Sequence, residues 1–288
     1  MATDGASGTT RNNDPVPPIP KPRGEVTRGT TAPNRLRRVD RWIAATQTGP
    51  LRAGARPLAV DLGYGASPVT TVELFTRLRA VSPRLEVVGV EIDAERVAAG
   101  VAVLAARRLD GLSFRRGGFE LPVPRPPVLV RAFNVLRQYG EDAAWRAWDE
   151  LAARLDPSGV LVEGTCDEIG RRAVWATLTP DGPRTITFAA HLPTLERPSA
   201  LAERLPKTLI HRNVPGEPVH DLLAAFDRCW ATAAPHSAFG PRARWVEAVA
   251  LLARTHPVVT RPPYGGRNRW RLGEVTFPWT AVAPYASR

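Results

Sequence analysis

The sequence of 288 residues predicts an α/β fold: a doubly wound, mostly parallel sheet with an antiparallel hairpin and a helical C-terminal extension. Three observations carry this. Short apolar runs alternate with amphipathic stretches between Leu58 and Thr165. Period-two alternation flanks Pro180-Asp-Gly-Pro183, and from about Leu192 the pattern turns mainly helical.

Residues 1–31 are rich in Gly, Thr, Asn and Pro, bury little, and predict a disordered tail. The main domain then covers 32–191, and a mainly helical extension over 192–288 packs on it. Leu36, Val39 and Ile43, with Trp42 beside them, have helical spacing that leaves Arg37, Arg38 and Arg41 largely on the other side. Such a helix either caps a pocket at the strand ends or covers a sheet edge. Leu58–Leu62 is a buried strand. Ser67 offers an N-cap oxygen and Pro68 suits the first helical position, so a helix runs from there to about Ala80. Leu85–Glu91 is the second strand, and Asp93 caps a helix over Ala94–Arg108. Strands follow at Leu112–Arg115 and Pro127–Phe133, then a helix at Glu141–Leu155, the turn Asp156-Pro-Ser-Gly159 and a fifth strand at Val160–Thr165. Arg172–Thr179 and Arg184–Ala190 form the hairpin. Helices near Ala200–Leu205, Val219–Thr232 and Arg242–Thr255 precede a last strand near Trp270–Phe277.

Composition narrows the class. With 43% hydrophobic residues, the chain has no apolar run near the roughly 18 residues of a membrane span. Its N-terminus lacks a secretory apolar core. Cys166 and Cys229 make neither a disulfide framework nor a metal-ligand spacing, which points to a reducing cytoplasm and no metal. A net charge of +11 invites a nucleic-acid partner. However, all the basic residues but Lys21 and Lys207 are arginines spread along the chain, as GC-rich coding would produce, so that partner stays an open alternative.

The chemistry gathers at Ala59-Val-Asp-Leu-Gly-Tyr-Gly-Ala-Ser67. Gly63 and Gly65 allow a tight turn and a close approach of backbone to ligand. Glu91 ends the second strand, where a carboxylate receives ribose hydroxyls in a βαβ nucleotide site. Asp61 before the first glycine would repel a pyrophosphate and suits a cationic cofactor, and Pro68 stands where a dinucleotide site has its third glycine.

Residues of about 55–165 resemble class I S-adenosylmethionine-dependent methyltransferases. The resemblance lies in Asp61-Leu-Gly-Tyr-Gly65, Gly89-Val-Glu91-Ile-Asp93 and the stretch Leu151–Glu163. It implies a Rossmann-like fold with S-adenosylmethionine as cofactor. Asp61, Gly63, Tyr64 and Gly65 would border its methionine part, Glu91 its ribose and Ile92 its adenine. The family's acid after the third strand is replaced by Gly117-Gly-Phe119-Glu-Leu-Pro, which leaves Glu120 or a stacking Phe119 for the adenine. The implied activity is methyl transfer, to a small molecule or RNA, with no membrane partner.

For the acceptor side, Asn134, Arg137 and Tyr139 follow the fourth strand and could orient a substrate, or cap a helix and face solvent. Thr165-Cys166 resembles the Thr-Cys of RNA 5-methylcytosine methyltransferases, whose thiolate adds to the pyrimidine, but their companion Pro-Cys is replaced by Phe133-Asn134. Glu163, Asp167 and Glu168 form a possible base cluster, and His211 and His220 are further bases. Two alternatives stand beside the main reading: an RNA methyltransferase using Cys166, and a cofactor-binding interaction protein without catalysis.

Overall fold

The computed structural model describes residues 21–27 and 29–285. Helix α1 (Arg37–Thr46) and the short α2 (Thr48–Leu51) precede β1 (Leu58–Leu62). The alternation continues through α3 (Val69–Arg79), β2 (Glu86–Glu91), α4 (Ala94–Arg107), β3 (Leu112–Arg116), β4 (Leu129–Phe133), α5 (Glu141–Ala152) and β5 (Val160–Cys166). The hairpin is β6 (Arg172–Thr179) and β7 (Gly182–Ala190). After it come α6 (Lys207–Ile210), α7 (Pro218–Thr232), α8 (Pro241–Leu252), α9 (Arg267–Trp270) and β8 (Glu274–Pro278).

The strands form one sheet in the order β3-β2-β1-β4-β5-β6-β7-β8. The first five run parallel, with Val60 opposite both Val88 and Val130. The last three add antiparallel neighbours. Strands β1, β4 and β5 are buried along their whole length, as parallel strands covered on both faces must be. One apolar layer centres on Trp148, Phe226 and Trp245, the other on Trp42, Phe75 and Trp175. This is the predicted doubly wound, Rossmann-like architecture. Among the described residues, no helix is long and apolar enough to cross a membrane.

Three local expectations are corrected. Helix α3 starts one residue late, with Pro68 as its cap; the Ser67 hydroxyl reaches the Val69 amide only at 3.4 Å. The hairpin's second strand begins at Gly182 rather than Arg184, because a register irregularity at Thr177–Leu178 accommodates Pro183 opposite Leu178. The tail predicted over 1–31 is ordered in its second part: residues 21–27 and 29–31 lie across the carboxyl ends of the strands, held by the backbone hydrogen bonds described below. The rest of that expectation, residues 1–20 and Arg28, lies outside the described residues. The extension, besides its helices, returns β8 to the sheet edge.

The interior holds a charge cluster that apolar patterning hid. Arg131 of β4 is fully buried and donates to both carboxylate oxygens of Asp61, at 2.9 and 2.7 Å. It also donates to Asp40 of α1 and to the Thr70 carbonyl. Arg77 of α3 adds a 2.6 Å bond to Asp40, and the Thr71 hydroxyl completes Asp61 at 2.7 Å. The two carboxylates hold Arg131 firmly in its charged form against the opposing pull of burial. Replacing Arg131 by Met leaves Asp40 and Asp61 buried without their shared partner. Urea unfolding of Arg131→Met should show a loss of about 3–5 kcal/mol, and a loss below about 1 kcal/mol would contradict the cluster's role.

Candidate active site

Strand β1 lies between β2 and β4, so the connections leave it on opposite sides and a crevice opens at its carboxyl end. The glycine turn fills the floor of that crevice. Gly63 and Gly65 adopt φ of +66° and +84°, which other residues reach only with strain. A side chain at Gly63 would strike Val135, and one at Gly65 would meet the Thr31 hydroxyl, each at 2.7 Å.

Glu91 sits beside the turn and is buried. Its carboxylate accepts the Gly65 amide at 3.0 Å, the Ile92 amide at 3.0 Å and the Asp93 amide at 3.4 Å, with Arg96 at 3.7 Å. Asp61 is differently placed from the sequence expectation. Its charge is matched by Arg131, so it does not stand free to attract a cation or repel a pyrophosphate. What opposes a pyrophosphate is the engagement of the turn's own donors: Gly65 N–H on Glu91 and Ala66 N–H on the Gly29 carbonyl at 3.0 Å. Tyr64 lines the crevice but packs its ring on Phe114, and its hydroxyl donates to the Arg96 carbonyl at 3.1 Å.

The ordered N-terminal segment crosses the site as a strap. Phe119 N–H donates to the Arg23 carbonyl at 3.0 Å, and Arg23 N–H donates to Glu120 at 2.9 Å. Glu25 N–H donates to the Tyr139 hydroxyl at 2.5 Å, and Gln138 to the Glu25 carbonyl at 3.0 Å. Arg96 donates to the Thr27 carbonyl at 2.9 Å, and the Thr31 hydroxyl to the Tyr64 carbonyl at 3.0 Å. Gly24 lies where a Cβ would come 3.0 Å from the Tyr139 hydroxyl, 3.2 Å from Ile92 and 3.5 Å from the Phe119 ring. Ile92, Phe119 and Tyr139 thus close on the protein's own backbone, and a cavity of only about 10 Å³ remains there.

On the other side of the glycine turn the site is open. A cavity of about 580 Å³ runs from Asp61 and Gly63 past Asn134 and Cys166 to Arg137 and Arg204. Asn134 has φ of +60° and clips two strand ends together. Its side chain accepts the Cys166 amide at 3.0 Å and donates to the Cys166 sulfur at 3.4 Å. Burial pushes the Cys166 thiol up, against the thiolate a nucleophile needs. Glu168 lines the cavity, whereas Asp167 accepts the Arg171 and Arg172 amides in its own turn. Glu163 does not join them: it is fully buried on the opposite face of β5, taking the Trp148 indole N–H at 3.0 Å. His211 pairs with Lys207 and His220 with Asp221, and neither lines the cavity. Sequence reasoning missed Arg35 and Arg204 on its wall; nothing in their spacing distinguishes them from the other arginines. Among the described residues, no group of His, Cys, Asp and Glu could hold a metal ion.

No family model matches the chain, and no curated protein sequence does. Solved structures similar to part of it include magnesium protoporphyrin IX methyltransferase from Synechocystis PCC 6803 with bound SAH, at 19% identity and TM-score 0.36, covering 46% of this chain and 54% of that one. Geranyl diphosphate methyltransferase in complex with SAM matches at 18% identity and TM-score 0.35, over 45% of this chain and 49% of that one. The [4+2]-cyclase SpnF matches at 20% identity and TM-score 0.35, over 45% and 44%. The match spans about half the length of these proteins.

The burial of Glu163 has a consequence for pH. Desolvation raises its carboxyl from the ordinary 4.5 to about 8 in the fold. The folded state therefore holds a proton that the unfolded state releases, so this group's contribution is most favourable below about pH 4.5 and declines as pH rises toward 8. The slope is at most about 1.4 kcal/mol per pH unit. Glu163→Gln should gain stability relative to the parent between pH 5 and pH 8 in urea unfolding; parallel pH profiles would refute the assignment.

Proposed function

We propose that the chain binds S-adenosylmethionine at the β1–β4 crevice and transfers its methyl group to an acceptor held in the adjoining cavity. The observation that carries this reading is Glu91, a buried carboxylate at the end of β2 set against Gly65 of the glycine turn. That is the place where a nucleoside cofactor's ribose hydroxyls are received.

The residues fit the cofactor as they stand on the methionine side of the turn, and on the nucleoside side only once the strap leaves. On the methionine side, Gly63 and Gly65 border a cavity of about 580 Å³, inside the ~300–1,000 Å³ range of small-molecule sites. On the nucleoside side, residues 23–27 occupy the space among Ile92, Phe119 and Tyr139, so binding requires this strap to withdraw. The bound cofactor supplies a sulfonium methyl. The chain's task is to hold the acceptor in line with it and keep water out, a role of positioning. Asn134, fixed by its clip to Cys166, and Tyr139, beside the strap, are two of the polar groups that follow β4.

RNA is the runner-up acceptor. Its support is a second groove of about 1020 Å³ along α1, lined by Arg37, Arg38, Arg41, Arg77 and Arg269. A role for Cys166 in that reaction is disfavoured by its burial and its bond to Asn134. A third reading, cofactor binding without catalysis, would be left if the cofactor binds and no methyl label moves.

Calorimetry with S-adenosylhomocysteine tests the core of the proposal. The parent protein should bind it, Glu91→Ala should weaken binding at least tenfold, and removal of residues 1–27 should tighten it. No heat and no rise in Tm with either the full or the shortened chain would sink the cofactor assignment. RNA affinity that falls steeply with salt would favour the polymer acceptor.

A further inference from the structure

The open cavity carries charge as well as volume. Arg35, Arg137 and Arg204 line it from three separate parts of the fold: the strap's end, the turn after β4, and the segment before α6. Asp61, at its floor, already has its charge matched by Arg131. Among the described lining residues, the remaining carboxylate is Glu168, which is exposed.

The donors of these arginines are incompletely used. Arg137 reaches only the Glu203 carbonyl, at 3.4 Å. Arg204 meets the solvent-exposed Glu203 carboxylate at 3.7 Å, a contact of small worth, and its buried Nε has no hydrogen-bond partner. Arg35 bonds the Asp167 and Thr30 carbonyls and lies within reach of the Cys166 thiol. Partial desolvation, and then the charge of Arg204, pull the Arg137 guanidinium down, which places like charges close together. Guanidinium groups held near one another with unused N–H groups, faced only by the solvent-exposed carboxylates of Glu203 and Glu168, are complementary to an oxyanion.

We infer that the methyl acceptor is a small molecule bearing a carboxylate or phosphate, gripped by Arg137 and Arg204 with Arg35 behind them. This rests on the methyltransferase reading for the word acceptor, but not for the anion site itself. The cavity places that anion across the glycine turn from Glu91, next to Asn134. The same oxyanion chemistry could instead serve the carboxylate of the cofactor's own methionine part, and the experiment separates the two.

The protein, with and without saturating S-adenosylhomocysteine, is titrated with inorganic phosphate and with benzoate at constant ionic strength. Calorimetry and the shift in Tm are the readouts. One of the two anions should bind with S-adenosylhomocysteine present, and the tighter one identifies the acceptor's class. Arg137→Gln and Arg204→Gln should each weaken that anion at least tenfold and leave S-adenosylhomocysteine affinity within about twofold. Arg137 is exposed, so its variant folds even if Arg204→Gln does not. The inference is overturned if the parent binds neither anion, or if the variants bind it as the parent does. It is equally overturned if S-adenosylhomocysteine displaces the anion and the variants lose affinity for it, because the arginines then belong to the cofactor. A protein that binds the anion through these arginines but never S-adenosylhomocysteine loses the methyltransferase reading and keeps the anion site.

Discussion

The arrangement depends on Arg131. One guanidinium at the centre of the sheet joins α1 through Asp40, β1 through Asp61 and α3 through the Thr70 carbonyl. A buried ion pair of this kind adds little net stability over an apolar isostere, but it penalises every arrangement that separates its members. It therefore acts on position. It fixes where α1 begins, and with it the Asn34–Arg38 stretch that divides the open cavity from the arginine groove behind. It also holds Asp61 at the base of the glycine turn, so the turn's height above the sheet is set from beneath.

This changes what the glycine turn means chemically. Its acid is a structural member rather than a free charge, and its two leading amide donors are engaged by Glu91 and Gly29. The turn presents a closed, neutral backbone surface to whatever lies above it. Charge in the site comes instead from the rim, where the arginines stand. A cofactor on this floor would meet shape and one carboxylate, while its partner in the cavity would meet positive charge.

Much of the fold was legible because its signals are local. The alternation of apolar runs and amphipathic helices gave β1 to β5 within a few residues, and Gly63, Gly65 and Glu91 marked the crevice by spacing alone. What stayed hidden was non-local. Leu129-Val-Arg-Ala-Phe133 looks like an apolar strand with one interruption, and nothing nearby says that Asp40 and Asp61 meet Arg131. Asp40 stands four residues after Leu36 and three before Ile43, so helical spacing puts it on the inward face, but nothing local names the partner it meets there. The strap failed for the opposite reason. Residues 21–27 and 29–31 have little to bury and are ordered by backbone hydrogen bonds to Phe119, Tyr139 and Arg96, which composition does not record. Glu163 was grouped with Asp167 and Glu168 by adjacency, but it lies inside β5 and is turned onto Trp148, whereas the other two follow the strand's end in a turn.

The position of β8 bears on how the molecule is made. In space it is the outermost strand, paired to β7; in order of synthesis it follows that strand by more than 80 residues. On the ribosome, β7 therefore waits with an open edge while α7 and α8 are translated, and an unpaired edge is a template for strands of other chains. The hairpin partner β6 protects one side of β7 in the meantime. The β7 edge is therefore closed only when the chain has been made through Pro278.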